Sequence, residues 1–161
     1  MQHASADSRF QELYRRYQRP ILAYFLRRTD QDTAFDGASE TFLVAWRRID
    51  DVPDGDNALP WLYGVARNVL ANIRRGDRRA RSLNEKIGST GPKAHAETPE
   101  AVIVRREEDE RTIAALDRLR PVDREIIQLS IWEEMPNMSI AEVFDTSPHA
   151  IAQRIHRITR K

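Results

Sequence analysis

The chain has 161 residues, of which 32% are charged, with a formal net charge of +1, six glycines and no cysteine. The absence of cysteine excludes disulfides and thiolate metal sites, and no apolar run is long enough to span a membrane. Because the N-terminal sequence also lacks a basic-then-apolar signal pattern, we expect a cytoplasmic protein. Helix-forming residues throughout, without alternating apolar runs, predict an all-α fold.

Two helices are predicted in the first third of the chain. Apolar residues recur at three- and four-residue spacing over 8–28, and Pro20 inside this pattern predicts a kink or a break. After a short turn, a second helix is predicted at about 33–48. Asp36 and Glu40 are four residues apart, and we therefore expect both carboxylates on one outer face of that helix.

The middle of the chain combines a loop with a basic helix. Residues 50–60, DDVPDGDNALP, are rich in aspartate, proline and glycine and predict a loop. The following stretch, 61–81, predicts an amphipathic helix with five arginines in its last eight residues. Such an end is either simply solvated or attracts a polyanion, and interleaved aromatic and amide side chains favour an unstacked nucleic-acid strand. The candidate contacts are Trp61, Tyr63, Arg67, Asn68, Asn72, Arg74, Arg75 and Arg78.

The sequence WLYGVARNVLANIRR at 61–75 resembles the second half of region 2 of bacterial RNA polymerase sigma factors, in the small extracytoplasmic-function (ECF) group. The preceding helix also resembles region 2, although Gly37 and Ser39 depart from the family pattern, which we expect to weaken docking. The resemblance implies that this helix binds the clamp helices of the polymerase β′ subunit through Asp36, Glu40, Thr41 and Phe42. A plain core role for Phe42 and Trp46 remains open.

The same resemblance assigns a function to the loop before Trp61. In the family, this loop captures a flipped base of the −10 promoter element, which requires a small pocket with polar groups directed at the base edge. Asn57 is the best-placed amide for that purpose, and Gly55 allows close approach of the backbone. The resemblance therefore implies that Asn57 and the eight candidate contacts on the helix read and melt the −10 element.

The C-terminal third is predicted to be a separate helical domain. Residues 82–99 carry two glycines and two prolines with little apolar content, and predict a flexible linker between domains at 5–81 and 100–161. A helix is predicted over 100–119 and another from Pro121. Their junction resembles the start of sigma region 4, which implies binding to the flap of the polymerase β subunit. The matching residues are Leu116, Leu119, Pro121, Arg124 and Glu125.

The last 25 residues predict a helix-turn-helix motif. A turn at 145–147 separates a short apolar helix from a basic helix over 148–161. A basic second helix suits the major groove, where glutamine and arginine make bidentate contacts to adenine and guanine. An ordinary exposed basic helix is the alternative. By resemblance to region 4, the residues expected to read the −35 promoter element are Ser147, His149, Gln153, Arg154, His156 and Arg157.

No catalytic constellation, phosphate loop or metal-ligand spacing is found, so we expect neither an enzyme nor a cofactor or metal. The sequence predicts a two-domain, all-α ECF sigma factor that binds core RNA polymerase and promoter DNA. By resemblance, we also expect an anti-sigma factor as a partner, and a free protein that is monomeric. Two alternatives remain, namely a helix-turn-helix regulator that acts without polymerase and a degenerate sigma-like adaptor that binds only proteins.

Overall fold

The computed structural model describes residues 2–88 and 110–160, and within these ranges the chain contains α-helices and short 3-10 turns but no strand. The prediction of an all-α fold is confirmed. The 3-10 turns are Ile49–Asp51 and Gly55–Asn57. The helices are α1 (Gln2–Leu26), α2 (Gln31–Arg47), α3 (Ala58–Ile87), α4 (Glu110–Asp117), α5 (Pro121–Ile131), α6 (Asn137–Val143) and α7 (Pro148–Thr159).

Several helix boundaries differ from the predicted ones. Helix α1 continues through Pro20, so the predicted break is wrong. Helix α3 begins at Ala58, because Pro60 lies in its first turn, where the missing N–H would have no helical partner. It ends only at Ile87, so six residues of the predicted linker are helical, and Gly88 with φ of 72° caps it. The remainder of the linker, and 100–109 of the next predicted helix, lie outside the described residues.

The N-terminal domain, α1 to α3, packs around side chains from all three helices. Ile21, Tyr24 and Phe25 of α1 and Leu62 of α3 are fully buried. Helix α2 approaches α1 at Gly37, where an added Cβ would lie only 2.5 Å from Cε1 of Phe25. A larger residue at this position would therefore require the two helices or the ring to move.

The C-terminal domain, α4 to α7, buries apolar side chains that are continuous with the core of the N-terminal domain. Ile126, Leu129, Ile140 and Ile151 from α5, α6 and α7 are each 0–1% exposed. Ser147 begins α7 by accepting a hydrogen bond from the N–H of Ala150 at 3.1 Å, as expected for a serine before a helix-initiating proline. The geometry of α6 and α7 with the turn between them is that of the predicted helix-turn-helix.

The two domains contact each other through a cluster of buried charges. Arg28, just after α1, donates hydrogen bonds to both carboxylate oxygens of Glu133 at 3.0 and 3.2 Å. It also contacts Glu125 at 3.4 Å, and Tyr24 donates to that carboxylate at 2.8 Å. The side chains of Arg28 and Glu133 are 1% and 0% exposed. Burial, reinforced by Glu125, raises the pKa of Tyr24 well above its usual value, so its phenol remains a hydrogen-bond donor.

Candidate DNA- and polymerase-binding surfaces

Helix α3 is buried along its first half and exposed along its second half. Its apolar stripe, including Leu62, Ala66 and Leu70, faces the core. Asn68 and Asn72 lie on the exposed side, and every residue over 74–88 is exposed. The amides and the basic end predicted to contact DNA are therefore accessible, because the helix extends beyond the domain that anchors it. The exposed arginines of the predicted set are Arg74, Arg75 and Arg78.

The loop before α3 is held in place by arginines and a tyrosine of α1. Arg9 donates hydrogen bonds to the carbonyl of Val52 and to the carboxylate of Asp54. The Tyr17 hydroxyl lies 3.4 Å from the carbonyl of Gly55. Gly55 has φ of 64°, a conformation that disfavours residues with a side chain. The ion pair of Asp54 with Arg9 thus stabilises the loop conformation.

A pocket opens beside the start of α3. Asn57, Trp61, Arg67 and Asn68 line it, which brings together four of the residues predicted to read the −10 element. The guanidinium of Arg48 lies 5.5 Å from the centroid of the Trp61 ring. An aromatic ring, two amides and two arginines around one concavity can stack on a nucleotide base and hydrogen-bond to its edge.

Tyr63, the other aromatic residue predicted to contact DNA, does not line this pocket and is buried. Its side chain is 3% exposed and its ring lies 5.7 Å from that of Tyr24. Burial raises the pKa of Tyr63, and the carboxylate of Glu133 in the C-terminal domain acts in the same direction. In this arrangement the Tyr63 ring is occupied in the core, so it does not present the open face that stacking on DNA requires.

The residues predicted to bind polymerase on α2 separate into two groups. Asp36 and Glu40 are exposed on one face, as predicted. Thr41 and Phe42 are 0% and 4% exposed, so both pack in the core and neither offers the open surface that Asp36 and Glu40 do. The Thr41 hydroxyl donates to the carbonyl of Gly37 at 2.8 Å, an internal bond that satisfies it in the core.

An exposed aromatic groove next to these residues was not identified from the sequence. Tyr14 of α1 and Leu43 and Trp46 of α2 are 40–46% exposed and line a groove whose wall includes Phe10 and Phe42. Edge-to-face contacts fix its rings, with centroids of Phe10 and Trp46 5.3 Å apart. The sequence leaves a plain core role for Trp46 open, and in the structure its ring packs against Phe10 on one side while 40% of the residue remains exposed. Exposed apolar surfaces of this kind are typical of protein-binding sites.

Helix α7 presents most of its predicted DNA contacts to solvent. His149, Gln153, His156 and Arg157 are exposed, opposite the buried Ile151. Arg154 is partly buried and its guanidinium contacts Asp123 of α5 at 3.2 Å. Ser147 is used as the helix cap. The exposed face is polar and basic, as insertion into a major groove requires.

Comparison with known proteins assigns both halves of the chain. Residues 13–80 match the family model for sigma-70 region 2, and residues 109–161 match that for sigma-70, region 4. The chain is 31% identical over 153 residues to the ECF RNA polymerase sigma factor SigL of Mycobacterium tuberculosis, covering 92% of this chain and 83% of SigL. The chain belongs to the ECF sigma factors. The class of function predicted from the sequence, an RNA polymerase sigma factor, is confirmed.

Two further proteins are similar to this chain, one in sequence and one in fold. The RNA polymerase sigma factor YlaC of Bacillus subtilis is 28% identical over 152 residues, covering 91% of this chain and 86% of YlaC. In fold, the chain is similar to the sigma factor RpoE of Bartonella quintana in its complex with the anti-sigma factor NepR. That similarity has a TM-score of 0.62 at 21% identity and covers 94% of this chain and 92% of RpoE.

The described part of this ECF sigma factor meets neither the requirements for a membrane-spanning helix nor those for a metal site. Over 2–88 and 110–160, no helix has the length and apolar character needed to cross a membrane. Over the same residues, no group of three or more histidine or acidic side chains is arranged to hold a metal ion.

Proposed function

We propose that this ECF sigma factor, in the cytoplasm, binds core RNA polymerase through α2 and directs it to promoters whose −10 and −35 elements it reads with α3 and α7. The observation that carries the proposal is the exposed polar face of α7. Gln153 and Arg157 are one turn apart on that face, and the helix is anchored from behind by Ile151. Two side chains that can each make a bidentate contact at that spacing suit the edges of neighbouring base pairs.

The −10 element would be read by the pocket beside α3. A base leaving the duplex would stack on Trp61, and the amides of Asn57 and Asn68 would bind its edge. Arg74, Arg75 and Arg78 would contact phosphates, which makes the affinity strongly salt-dependent. Binding energy alone would melt the element, because captured bases offset the lost stacking without nucleotide hydrolysis.

The polymerase would bind the exposed face of α2. Asp36 and Glu40 supply negative charge there. Leu43 is a neighbour of both Glu40 and Trp46 on the helix surface, because it lies three residues from each. It therefore joins the charged face to the aromatic groove. We assign the clamp helices of β′ to this combined surface and the flap of β to the start of the C-terminal domain. An anti-sigma factor would act by covering these surfaces in the free protein, which we expect to be monomeric.

Run-off transcription tests the proposal directly. Core RNA polymerase freed of sigma is incubated with genomic DNA fragments with and without the protein, and discrete new transcripts are expected only when the protein is present. Gln153→Ala and Arg157→Ala are expected to abolish them, whereas Arg19→Ala removes an exposed charge on α1, outside the proposed binding surfaces, and should leave them intact. Polymerase binding without transcripts would favour the adaptor, and absence of polymerase binding would favour a regulator that acts alone.

The polymerase surface is tested separately. Leu43→Ala combined with Trp46→Ala should weaken capture of core polymerase, because it removes the apolar part of the proposed contact. Leu83→Ala, which truncates a side chain that is 59% exposed at the far end of α3, is the matched control and should bind normally. Equal binding by all variants would refute the role of the groove.

A further inference from the structure

The guanidinium of Arg154, on α7, is held by a carboxylate of a second helix. Arg154 lies at the edge of the exposed face of α7, three residues before Arg157, so the two side chains are neighbours on the helix surface. The Arg154 side chain is 43% exposed, and its Nη1 donates a hydrogen bond at 3.2 Å to Oδ1 of Asp123 in α5. Arg154 is therefore both accessible and oriented.

Asp123 is itself restrained from two directions. Its side chain is 13% exposed, and its second oxygen, Oδ2, accepts a hydrogen bond at 3.3 Å from Nε of Arg120. It also lies in the first turn of α5, where the partial positive charge of the helix N-terminus stabilises a carboxylate. A restrained acceptor fixes the orientation of the guanidinium that binds it, as supporting residues do around a binding site.

The bond to Asp123 leaves free the edge of Arg154 that can bind a base. A guanidinium has five N–H donors in a rigid, planar fork. Within 2–88 and 110–160, Asp123 is the one hydrogen-bond acceptor of Arg154, and this bond uses Nη1. The parallel pair of Nε–H and Nη2–H remains, and such a pair matches O6 and N7 of guanine in the major groove. Arg154 can therefore bind Asp123 and a guanine together.

Pairing also changes how Arg154 interacts with the DNA backbone. An arginine without a partner is attracted to the nearest phosphates whatever the sequence. The carboxylate of Asp123 partly neutralises Arg154 and is repelled by phosphates, so it weakens this nonspecific contact. A bidentate contact to a base edge is retained, because it depends on the geometry of the fork as well as on its charge. The ion pair thus favours discrimination between sequences over affinity for any DNA.

We propose that Asp123 is a positioning residue for promoter discrimination, which holds Arg154 so that the arginine binds a guanine of the −35 element rather than a phosphate. The proposal rests on the assignment of α7 to that element. Asp123 acts through Arg154 and itself contacts no base. The two residues are 31 positions apart, and therefore only the packing of α5 against α7 brings them together.

Urea unfolding of the full-length free chain tests whether the pair forms. Asp123→Asn should lower the free energy of unfolding in the unchanged chain, and should lower it less in an Arg154→Ala background, because the partner is already gone. Glu134→Gln is the matched control. It neutralises an exposed carboxylate just beyond the opposite end of α5, and its effect should be the same with and without Arg154.

Promoter binding by the reconstituted holoenzyme tests discrimination. The duplexes carry the −35 element of a promoter mapped by the run-off experiment, or the same element with each G·C pair changed singly to A·T. The unchanged chain should bind at least one changed duplex at least about fivefold more weakly, the lower end for a bidentate contact. Asp123→Asn should lose that preference, with no further loss in an Arg154→Ala background, and Asp123→Glu should retain part of it. Glu134→Gln should keep it.

Salt dependence separates positioning from a merely structural role. In Asp123→Asn, the released guanidinium is free to contact a phosphate, so the slope of log affinity against log salt on the changed duplex should steepen by about 0.9. Affinity for that duplex at low salt should rise, because a carboxylate beside the backbone is removed. A variant with a loosened fold would instead bind every duplex more weakly, without a steeper slope. Discrimination is a ratio for one holoenzyme, so any change in polymerase binding cancels from it.

The outcomes separate this proposal from the proposed function. Absence of coupling between Asp123 and Arg154 in the free chain refutes the pair. Coupling with unchanged discrimination means that Asp123 only stabilises the fold, and refutes the positioning role even if run-off transcription succeeds. If the unchanged holoenzyme transcribes but tolerates every change in the −35 element, the assignment of α7 is wrong, and the proposal is wrong with it. If no holoenzyme forms, the proposed function is refuted first.

Discussion

The contact between Gly37 and Phe25 gives a stability prediction whose sign is opposite to that expected from helix propensity. Replacing a mid-helix glycine with alanine normally stabilises a helix by about 0.5–1 kcal/mol. In Gly37→Ala, however, the new Cβ would lie 2.5, 2.6 and 2.9 Å from three ring atoms of Phe25, whose side chain is fully buried. Overpacking of this kind costs about 1–3 kcal/mol, so we expect a net loss of up to about 2 kcal/mol.

Gly64→Ala is the matched control for this substitution. Gly64 is also inside a helix of the N-terminal domain, but an added Cβ there has no neighbour within 4 Å. We expect it to stabilise the domain by about 0.5–1 kcal/mol, which leaves a gap of about 1–3 kcal/mol between the two variants. For a domain of this size, 1 kcal/mol corresponds to a shift of about 4–8 °C in melting temperature.

The assay must report on the N-terminal domain alone, because two domains need not unfold together. In a Trp132→Phe background, the fluorescence of Trp46 and Trp61 follows that domain in urea. Addition of Phe25→Leu should reduce the penalty of Gly37→Ala, with a coupling energy of about 0.5–3 kcal/mol. If Gly37→Ala is as stable as Gly64→Ala, the buried ring does not restrict residue 37, and the reasoning is wrong.

Three further predictions concern the loop, the basic helix end and the α7 cap. Gly55→Ala should lower the free energy of unfolding by about 1 kcal/mol through backbone strain alone, because no atom lies within 4 Å of the added Cβ. Thermal melts followed by circular dichroism should show a smaller loss for Gly55→Asn, because asparagine tolerates a positive φ better than alanine. Arg78→Ala should reduce the slope of log affinity against log salt by about 0.7 if that side chain contacts a phosphate of single-stranded DNA; an unchanged slope contradicts the contact. Ser147→Ala should destabilise the C-terminal domain by about 1 kcal/mol, whereas Ser147→Asp keeps a cap and should melt near the unchanged protein.

The sequence predicted the features that depend on local pattern. Apolar periodicity located α2 and most of α3, because each helix buries one continuous stripe. The start of α7 also depends on a local pattern, the Ser147–Pro148 pair. The serine hydroxyl accepts a hydrogen bond from the N–H of Ala150, one of the N–H groups that have no partner within the helix. The resemblance then identified the family, which the comparisons confirmed.

Features that depend on tertiary packing were predicted less well. Gly37 was a departure from the family pattern in sequence, and only the position of Phe25 explains why glycine fits there. The assignment of Tyr63 to DNA rests on the interleaving of aromatic and amide side chains with arginines along 61–81, although Tyr63 lies three residues before Ala66 and thus on the buried stripe. The ion pairs of Arg28 with Glu133 join residues 105 apart, a separation that no local pattern encodes.

The exposed second half of α3 has a consequence for the thermodynamics of DNA binding. Residues 74–87 extend about 21 Å at about 1.5 Å per residue, and every one of them is exposed. Arg74 with Arg78, and Arg75 with Arg79, are like charges one turn apart, and each pair disfavours the helix by a few tenths of a kcal/mol. Phosphates would neutralise that repulsion, so this segment becomes more helical as it binds. Its contribution to affinity should therefore carry an enthalpy and a temperature dependence characteristic of a helix–coil transition.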